Sequence, residues 1–366
     1  MSNLAAYLHI PFCQQKCRYC DFFSVSSDEL TRKNFSAALA EQIRNSPAKG
    51  ETLSSVYFGG GTPSLLSPEA FCLIFSALRD TFSLIKECEI TVECNPESVN
   101  NTLLAGLADC GVNRLSMGIQ TFSSRLLQVL GRIHSAEEGI NAFYRMRQFG
   151  FRNINLDLIT ALPGMTQDEA YDDLETIAEL APEHISVYLL KIEPNTPLGR
   201  EGAKEQPEEE QEAYYLQADR FFSTCGYEHY EISNFAKPGY RSMHNCAYWN
   251  GTEYLAFGPG AAGYYKNLRY RIPADLKGYL WAKGNVAPVV EQYLDDREKA
   301  KEKILLSLRT LNGLKKQSLR PETLALFDTL KKNGLTNCVE DHYFLTPRGF
   351  LLSNAIIQQV LDSERY

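Results

Sequence analysis

The sequence predicts an α/β protein, an open or partial (β/α)6 barrel followed by a small winged-helix-like domain. Two patterns predict it. Over roughly the first 190 residues, short β-branched or aromatic runs are each followed by a turn and a helix-length amphipathic stretch, the rhythm of a parallel sheet with crossover helices. From Asp296 the chain instead reads helix, helix, hairpin and final helix. Six β/α units fall short of a complete eight-stranded barrel, and a doubly wound sheet is the competing arrangement.

In chain order the candidate strands are Ala6–Ile10, Ser55–Phe58, Glu89–Cys94, Arg114–Gly118, Asn153–Ile159 and His184–Leu190. Helices are expected at 29–45, 68–80, 100–109, 123–130, 136–148 and 167–180; Pro68 begins the second, where its missing N–H costs nothing. The acidic stretch Arg200–Glu212 reads as a solvated connection into a helix that ends near Cys225, in preference to a recognition tail. Residues 226–270, rich in Gly, Tyr and Asn, read as turns and short strands. In the tail, KAKEKILLSLRTL and ETLALFDTLKKNGL are helical, the second stopped by glycine, and HYFLTPRGFLLSNAIIQQVL reads as a hairpin feeding a last helix.

Charge and cysteine content narrow the function. Of 366 residues, 37 are Lys or Arg and 45 are Asp or Glu, a net charge of -8 that argues against general nucleic-acid binding. No long apolar run and no basic-then-apolar leader occurs, so secretion and membrane spanning are not expected. Ten cysteines are too dilute for a secreted disulfide scaffold, yet three crowd into one loop, which points to a reducing, cytoplasmic setting and a metal.

Those three are Cys13, Cys17 and Cys20 in PFCQQKCRYCDFF, directly after the first expected strand, on the face where parallel barrels form their sites. Three thiolates suit three irons of a cubane cluster and leave the fourth iron open to a small ligand, whereas a closed zinc site takes four protein ligands. Two weaker readings compete. A zinc site could be completed by His9 or Asp21, but His9 lies on the strand and Asp21 is a hard ligand; burial as small apolar side chains has little core to fill in a polar loop.

Phe58-Gly59-Gly60-Gly61-Thr62-Pro63 follows the second strand, and its glycines either let backbone close on a ligand or simply turn the chain. No Gly-Lys-Ser/Thr follows to make a phosphate loop. Glu93, Gln120 and Asp157 stand near the exits of three further strands, where polar side chains converge on one ligand or serve as caps and ion-pair partners.

The CxxxCxxC spacing beside this glycine segment resembles the radical S-adenosylmethionine superfamily. From YLHIPFC to the C-terminal region the chain resembles the oxygen-independent coproporphyrinogen III oxidase-like family, most narrowly its heme chaperone branch. The resemblance implies a radical-SAM barrel core at 1–235, an extension at 236–290 and a C-terminal domain at 291–366. It implies a [4Fe-4S] cluster on Cys13, Cys17 and Cys20, with S-adenosylmethionine chelating the open iron and a 5'-deoxyadenosyl radical available on reduction, chemistry that no side chain supplies. It also matches Tyr7, Gly60, Glu93, Gln120, Arg132 and Asp157 to cofactor-contacting positions, with Tyr19, Gly61 and Thr62 beside them; Arg132 would pair a carboxylate and Asp157 accept ribose hydroxyls.

Two departures bear on what the cofactor serves. The oxidase branch carries a fourth cysteine, CxxxCxxCxC, where this chain has Phe22, and the first cysteine comes at residue 13, which leaves little chain for a lid. Both argue for the chaperone branch and against coproporphyrinogen decarboxylation. SMHNCAYWN matches the HNxxYW motif of that branch, so His244, beside Tyr248 and Trp249, is the candidate axial ligand of heme. His244 as organiser of its loop and Cys246 as a thiolate ligand are the alternatives; His134, His184 and His229 read as structural. Relatives often carry histidine where Ala262 stands in AFGPGAAGYY, which weakens a ligand role for that loop, and LRTLNGL reads as domain packing.

The expected function is therefore a heme chaperone that receives heme and delivers it to a respiratory hemoprotein, membrane-associated recipients included. A reducing electron donor, transient docking at a membrane surface and no nucleic acid are the expected partners. Coproporphyrinogen III oxidation and a non-catalytic iron-sulfur protein are the alternatives.

Overall fold

The computed structural model describes residues 4–366; Met1–Asn3, part of the stretch read for a leader, lie outside the described residues. Six parallel strands, hydrogen-bonded in chain order, form the centre of a mixed sheet: β1 (Leu4–Ile10), β2 (Thr52–Gly60), β3 (Ser83–Cys94), β4 (Arg114–Gln120), β5 (Ile154–Thr160) and β6 (His184–Leu189). Between them run α1 (Glu29–Arg44), α2 (Pro68–Thr81), α3 (Asn101–Asp109), α4 (Ser124–Leu130), α5 (Ala136–Gln148) and α6 (Gln167–Leu180). Each expected strand and helix of this half is present, and β2 and β3 run longer than their apolar runs suggest. Parallel neighbours need such crossovers.

Alternation along these strands creates the two faces of the sheet. Leu8, Val56, Phe58, Val92, Leu115, Met117, Leu156, Ile185 and Val187 are buried in one core with Leu39, Phe71, Phe75 and Phe143 of the helices. Residues of the other parity bring polar groups into register: Glu93 pairs with Ser116, Ser116 with Asn155, Asn155 with His184, and Asp157 with both Gly118 and Ser186.

After α7 (Pro197–Arg200) and α8 (Glu208–Thr224), β7 (Glu228–Glu231) and β8 (Asn234–Ala236) add antiparallel strands beside β6. A short helix, α9 (Met243–Trp249), follows where the sequence suggested only turns and strands. Its seven residues are too few for a helical period to show, and the cap in which Ser242 Oγ accepts the Asn245 N–H is its main local signal. Then β9 (Tyr254–Phe257) pairs parallel with β1, and β10 (Ala262–Tyr265), β11 (Leu268–Arg271) and, after α10 (Leu276–Trp281), β12 (Val289–Tyr293) continue outward antiparallel. The expected extension at 236–290 thus lengthens the same sheet, which reaches twelve strands.

The remaining chain is a helical region with a short sheet. It comprises α11 (Asp296–Ser307), β13 (Leu314–Lys315), α12 (Pro321–Lys332), the hairpin β14 (Thr336–Val339) and β15 (His342–Leu345), α13 (Pro347–Leu351) and α14 (Ser353–Ser363). Leu308, Phe327, Leu345, Phe350 and Val360 form its core, which also takes in Tyr215 of α8.

Candidate functional site

A cavity of about 590 Å³ lies at the carboxyl ends of the parallel strands. Cys13, Cys17, Cys20, Tyr19, Gly60, Gly61, Thr62, Glu93, Gln120, Arg132 and Asp157 all line it, although they come from six separate segments. The cysteine loop is tied down along its length: Cys13 N–H donates to Val25 O, Arg18 N–H to Leu130 O, and Leu198 N–H to Arg18 O. Glycine is required next to it. Gly60 has φ +112°, and a Cβ there would stand 2.4 Å from the His9 ring; at Gly61 it would stand 2.6 Å from the Phe12 carbonyl oxygen.

Three free thiols of one loop, all partly exposed, open on this cavity. Arg132 Nη1 donates to Cys17 Sγ at 3.4 Å, its Nη2 to Gly118 O and Asn95 Oδ1, and Thr62 Oγ1 approaches Cys13 Sγ at 3.8 Å. Burial pushes the Cys20 thiol up to about 11. Among the described residues no three His, Cys, Asp or Glu side chains are already gathered into a metal cage. The donor set nevertheless fits iron: three sulfurs share one cavity, the Arg132 guanidinium donates to one of them, and one side stays open.

The floor is polar and internally satisfied. Glu93 accepts from Tyr57 Oη at 2.8 Å and from Gly60 N–H at 3.1 Å, yet burial, with Asp157 nearby, lifts it to about 7. Burial also raises Asp157 against the hydrogen bonds it receives from Ser186, Asn155 and Ser116. Behind Asp157 runs a chain of donors. Ser242 N–H donates to Tyr230 Oη, which donates to His184 Nε2 at 2.8 Å; His184 Nδ1–H donates to Asn155 Oδ1 at 2.6 Å, and Asn155 Nδ2 to Asp157 Oδ1 at 2.7 Å. Burial, then Arg114, holds the His184 pKa well below the ordinary value, so the ring is neutral and this tautomer satisfies both nitrogens. Gln120 closes β4 with φ +74°, a left-handed conformation that a non-glycine residue holds only when its surroundings impose it.

Two matched residues stand elsewhere. Tyr7 opens on a neighbouring cavity, its hydroxyl 3.1 Å from His9 Nδ1. His244 is 1% exposed; its Nδ1 is 2.9 Å from Ser55 Oγ, its Nε2 is 2.9 Å from Tyr248 Oη, and its ring stacks on Tyr57. Burial, then Arg114, lowers its pKa to about 3. In this geometry both ring nitrogens have partners within the protein, the arrangement of a residue that organises its segment. Sequence reading passed over Asn95, Ser116, Asn155 and Tyr57. The period of two was their signal, because Asn155 shares a strand face with Asp157.

The sequence profile of the Radical SAM superfamily matches residues 7–177. Along nearly the whole chain there is similarity to the heme chaperone HemW of Lactococcus lactis (33% identity over 98% of this chain and 97% of that protein) and of Bacillus subtilis (35%, over 96% and 97%). The solved structure of the radical SAM enzyme coproporphyrinogen III oxidase HemN from Escherichia coli overlays with a TM-score of 0.83 at 25% identity, over 98% of this chain and 89% of that one.

The chain belongs to the radical SAM superfamily, in its HemW/HemN-like branch. One expectation is overturned by the same comparison. In the sequence, Phe22 and the early first cysteine argue against coproporphyrinogen oxidation, but the likeness to HemN spans 98% of this chain and 89% of that one. The physical reason lies in where Phe22 stands: at 67% exposed it sits on the rim, and it leaves the cavity that holds the three cysteines open.

Proposed function

We propose that this protein holds a [4Fe-4S] cluster through Cys13, Cys17 and Cys20, binds S-adenosylmethionine over it, and serves as a heme chaperone that passes heme to a respiratory hemoprotein. When bound, the cluster and S-adenosylmethionine together supply one-electron chemistry. The chain's own residues bind and orient: Glu93 and the Gly60–Thr62 backbone face a cationic ligand group, Arg132 faces a carboxylate, and Asp157 faces ribose hydroxyls. The observation that carries the chaperone reading is the near full-length similarity to proteins named for that role. A cytoplasmic location, transient docking at a membrane-associated recipient and an electron donor belong to this reading. In the structure no helix of the described residues is long and apolar enough to cross a membrane.

A second reading, oxygen-independent coproporphyrinogen III oxidation, has the stronger structural support, because the overlay with HemN covers nearly all of this chain. One experiment separates them. Anaerobically reconstituted protein with S-adenosylmethionine and reductant is followed for protoporphyrinogen IX, and the same preparation, loaded with heme, is followed for transfer to an apo-hemoprotein. Transfer without product supports the chaperone; repeated turnover to product replaces it with the oxidase; neither, from fully loaded protein, removes both.

A further inference from the structure

Next to the cysteine cavity lies a second one of about 610 Å³, within the range of small-molecule and cofactor sites. It is built by four parts of the chain: the end of β1, the end of the cysteine loop at Asp21–Phe23, the stretch from Tyr248 to Ala274, and α11. Its walls are aromatic, chiefly Phe22, Tyr248, Tyr254 and Tyr264, and Arg269 and Arg271 stand among them. Being two residues apart on β11, these arginines share one strand face and stand roughly 7 Å apart. Register sets Tyr264 beside Arg269 and Ala262 beside Arg271.

Resting on the tetrapyrrole reading above, we propose that this cavity is where a planar, propionate-bearing tetrapyrrole lies, its face on Phe22 and its carboxylates on Arg269 and Arg271. Guanidinium forks match carboxylates with two parallel hydrogen bonds, and aromatic faces take a flat macrocycle. Both arginines are already paired, Arg269 with Glu302 and Arg271 with Glu291. The Arg271–Glu291 pair is exposed and contributes little, so a ligand carboxylate replaces that glutamate at small cost and is released as readily, whereas the half-buried Arg269 keeps Glu302 and offers its remaining N–H donors. Asp21 and Phe22 line both cavities, so a macrocycle seated here has its edge at the cysteine loop. That placement also accounts for a phenylalanine left 67% exposed on the rim.

Heme and coproporphyrin III share this chemistry, with two and four carboxylates, and titration with each distinguishes the sources. Full-length reconstituted protein is titrated by absorbance as wild type, as the double variant Arg269→Gln/Arg271→Gln, as Phe22→Ala, and as Ala262→Trp, which fills the cavity. The double variant is expected to lose at least about tenfold in tetrapyrrole affinity, Phe22→Ala about threefold, and Ala262→Trp most of it. In the arginine and Ala262 variants, which lie outside the cysteine cavity, S-adenosylmethionine affinity held within about twofold reports that the fold and the neighbouring cavity are intact. Wild-type tetrapyrrole affinity in the double variant, with S-adenosylmethionine binding preserved, overturns the site while leaving the chaperone and oxidase readings standing. A wild-type protein that binds neither heme nor coproporphyrin III overturns this site and the chaperone reading together, and the oxidase reading then stands or falls on turnover of coproporphyrinogen III.

Discussion

The two cavities meet at Asp21 and Phe22 but hold their charges differently. In the cysteine cavity, Glu93, Asp157 and Arg132 are half-buried and each is held by fixed partners within the sheet: Tyr57 and Gly60, Asn155, and Gly118 with Asn95. In the second cavity, Arg269 is half-buried and Arg271 exposed, and their partners are charged side chains, glutamates of α11 and β12. Groups already oriented need no rearrangement when a ligand arrives, which suits a cofactor that must be placed accurately. An exchangeable pair such as Arg271 with Glu291 suits a ligand that comes and goes.

The largest effect tests the premise of the first cavity. Cys17→Ala is expected to reduce iron and acid-labile sulfide after reconstitution to near background. Because the thiol is partly exposed and its hydrogen-bond partner Arg132 keeps Gly118 and Asn95, the melting free energy should change by less than about 0.5 kcal/mol. Full cluster loading in Cys17→Ala would remove the cysteine triplet as the ligand set.

His244→Ala comes next, and it separates organisation from ligation. The substitution leaves Ser55 and Tyr248 unpartnered and opens a cavity against Tyr57, which is expected to cost about 2–4 kcal/mol in chemical denaturation. Native folding with full heme affinity would eliminate His244 as an axial ligand. Loss of heme affinity in a variant that still binds S-adenosylmethionine normally would tie this segment to heme, either through the ring itself or through Tyr248, which His244 holds at the wall of the second cavity.

Asp157→Ala is expected to weaken S-adenosylmethionine binding by about 10- to 100-fold, the worth of a hydrogen bond to a charged group, without affecting tetrapyrrole titration. Unchanged cofactor affinity would withdraw the ribose-contacting role.

These residues also mark where the sequence was legible. Strand ends of a parallel sheet point to one face, so Cys13, Glu93, Gln120 and Asp157 could be placed together from the β/α rhythm alone. The second cavity could not. Its walls come from segments such as β1 and β11, more than 250 residues apart, joined by a parallel pairing of β1 with β9 and then by antiparallel steps that no local pattern announces. His244 misleads for the same reason: the motif is visible, but whether an imidazole faces a cavity or Ser55 depends on how α9 packs on β2.

A subtler difference is expected in pH dependence. Glu93 is lifted by burial from 4.5 to about 7. A carboxyl raised in the folded state stabilises that state below its unfolded pKa and loses the contribution as pH rises through the folded one, so apo-protein stability should fall between about pH 4.5 and 7. Glu231 and Asp173, also lifted to about 7, act in the same direction. Affinity for a ligand bearing an ammonium group has the opposite sign, since the ionised carboxylate attracts it: S-adenosylmethionine Kd should improve up to about tenfold from pH 6 to 8. Glu93→Gln should flatten that profile, and an unaltered slope would assign it to another group.

The smallest effect tests whether the α9 segment and the cofactor cavity communicate. Ser242, Tyr230, His184 and Asn155 donate in one direction, ending on Asp157, so each bond polarises the next toward the carboxylate. Tyr230→Phe removes one hydroxyl near the middle and leaves the Asn155 contact in place. It is expected to weaken S-adenosylmethionine binding only about two- to threefold, a fraction of the Asp157 effect. Some destabilisation will accompany any buried hydroxyl deletion, so stability does not decide the matter. An analogue lacking the ribose hydroxyls does: if the chain acts by orienting Asp157, the variant and the wild type bind that analogue equally. An equal loss with both ligands would make the chain structural support and no more.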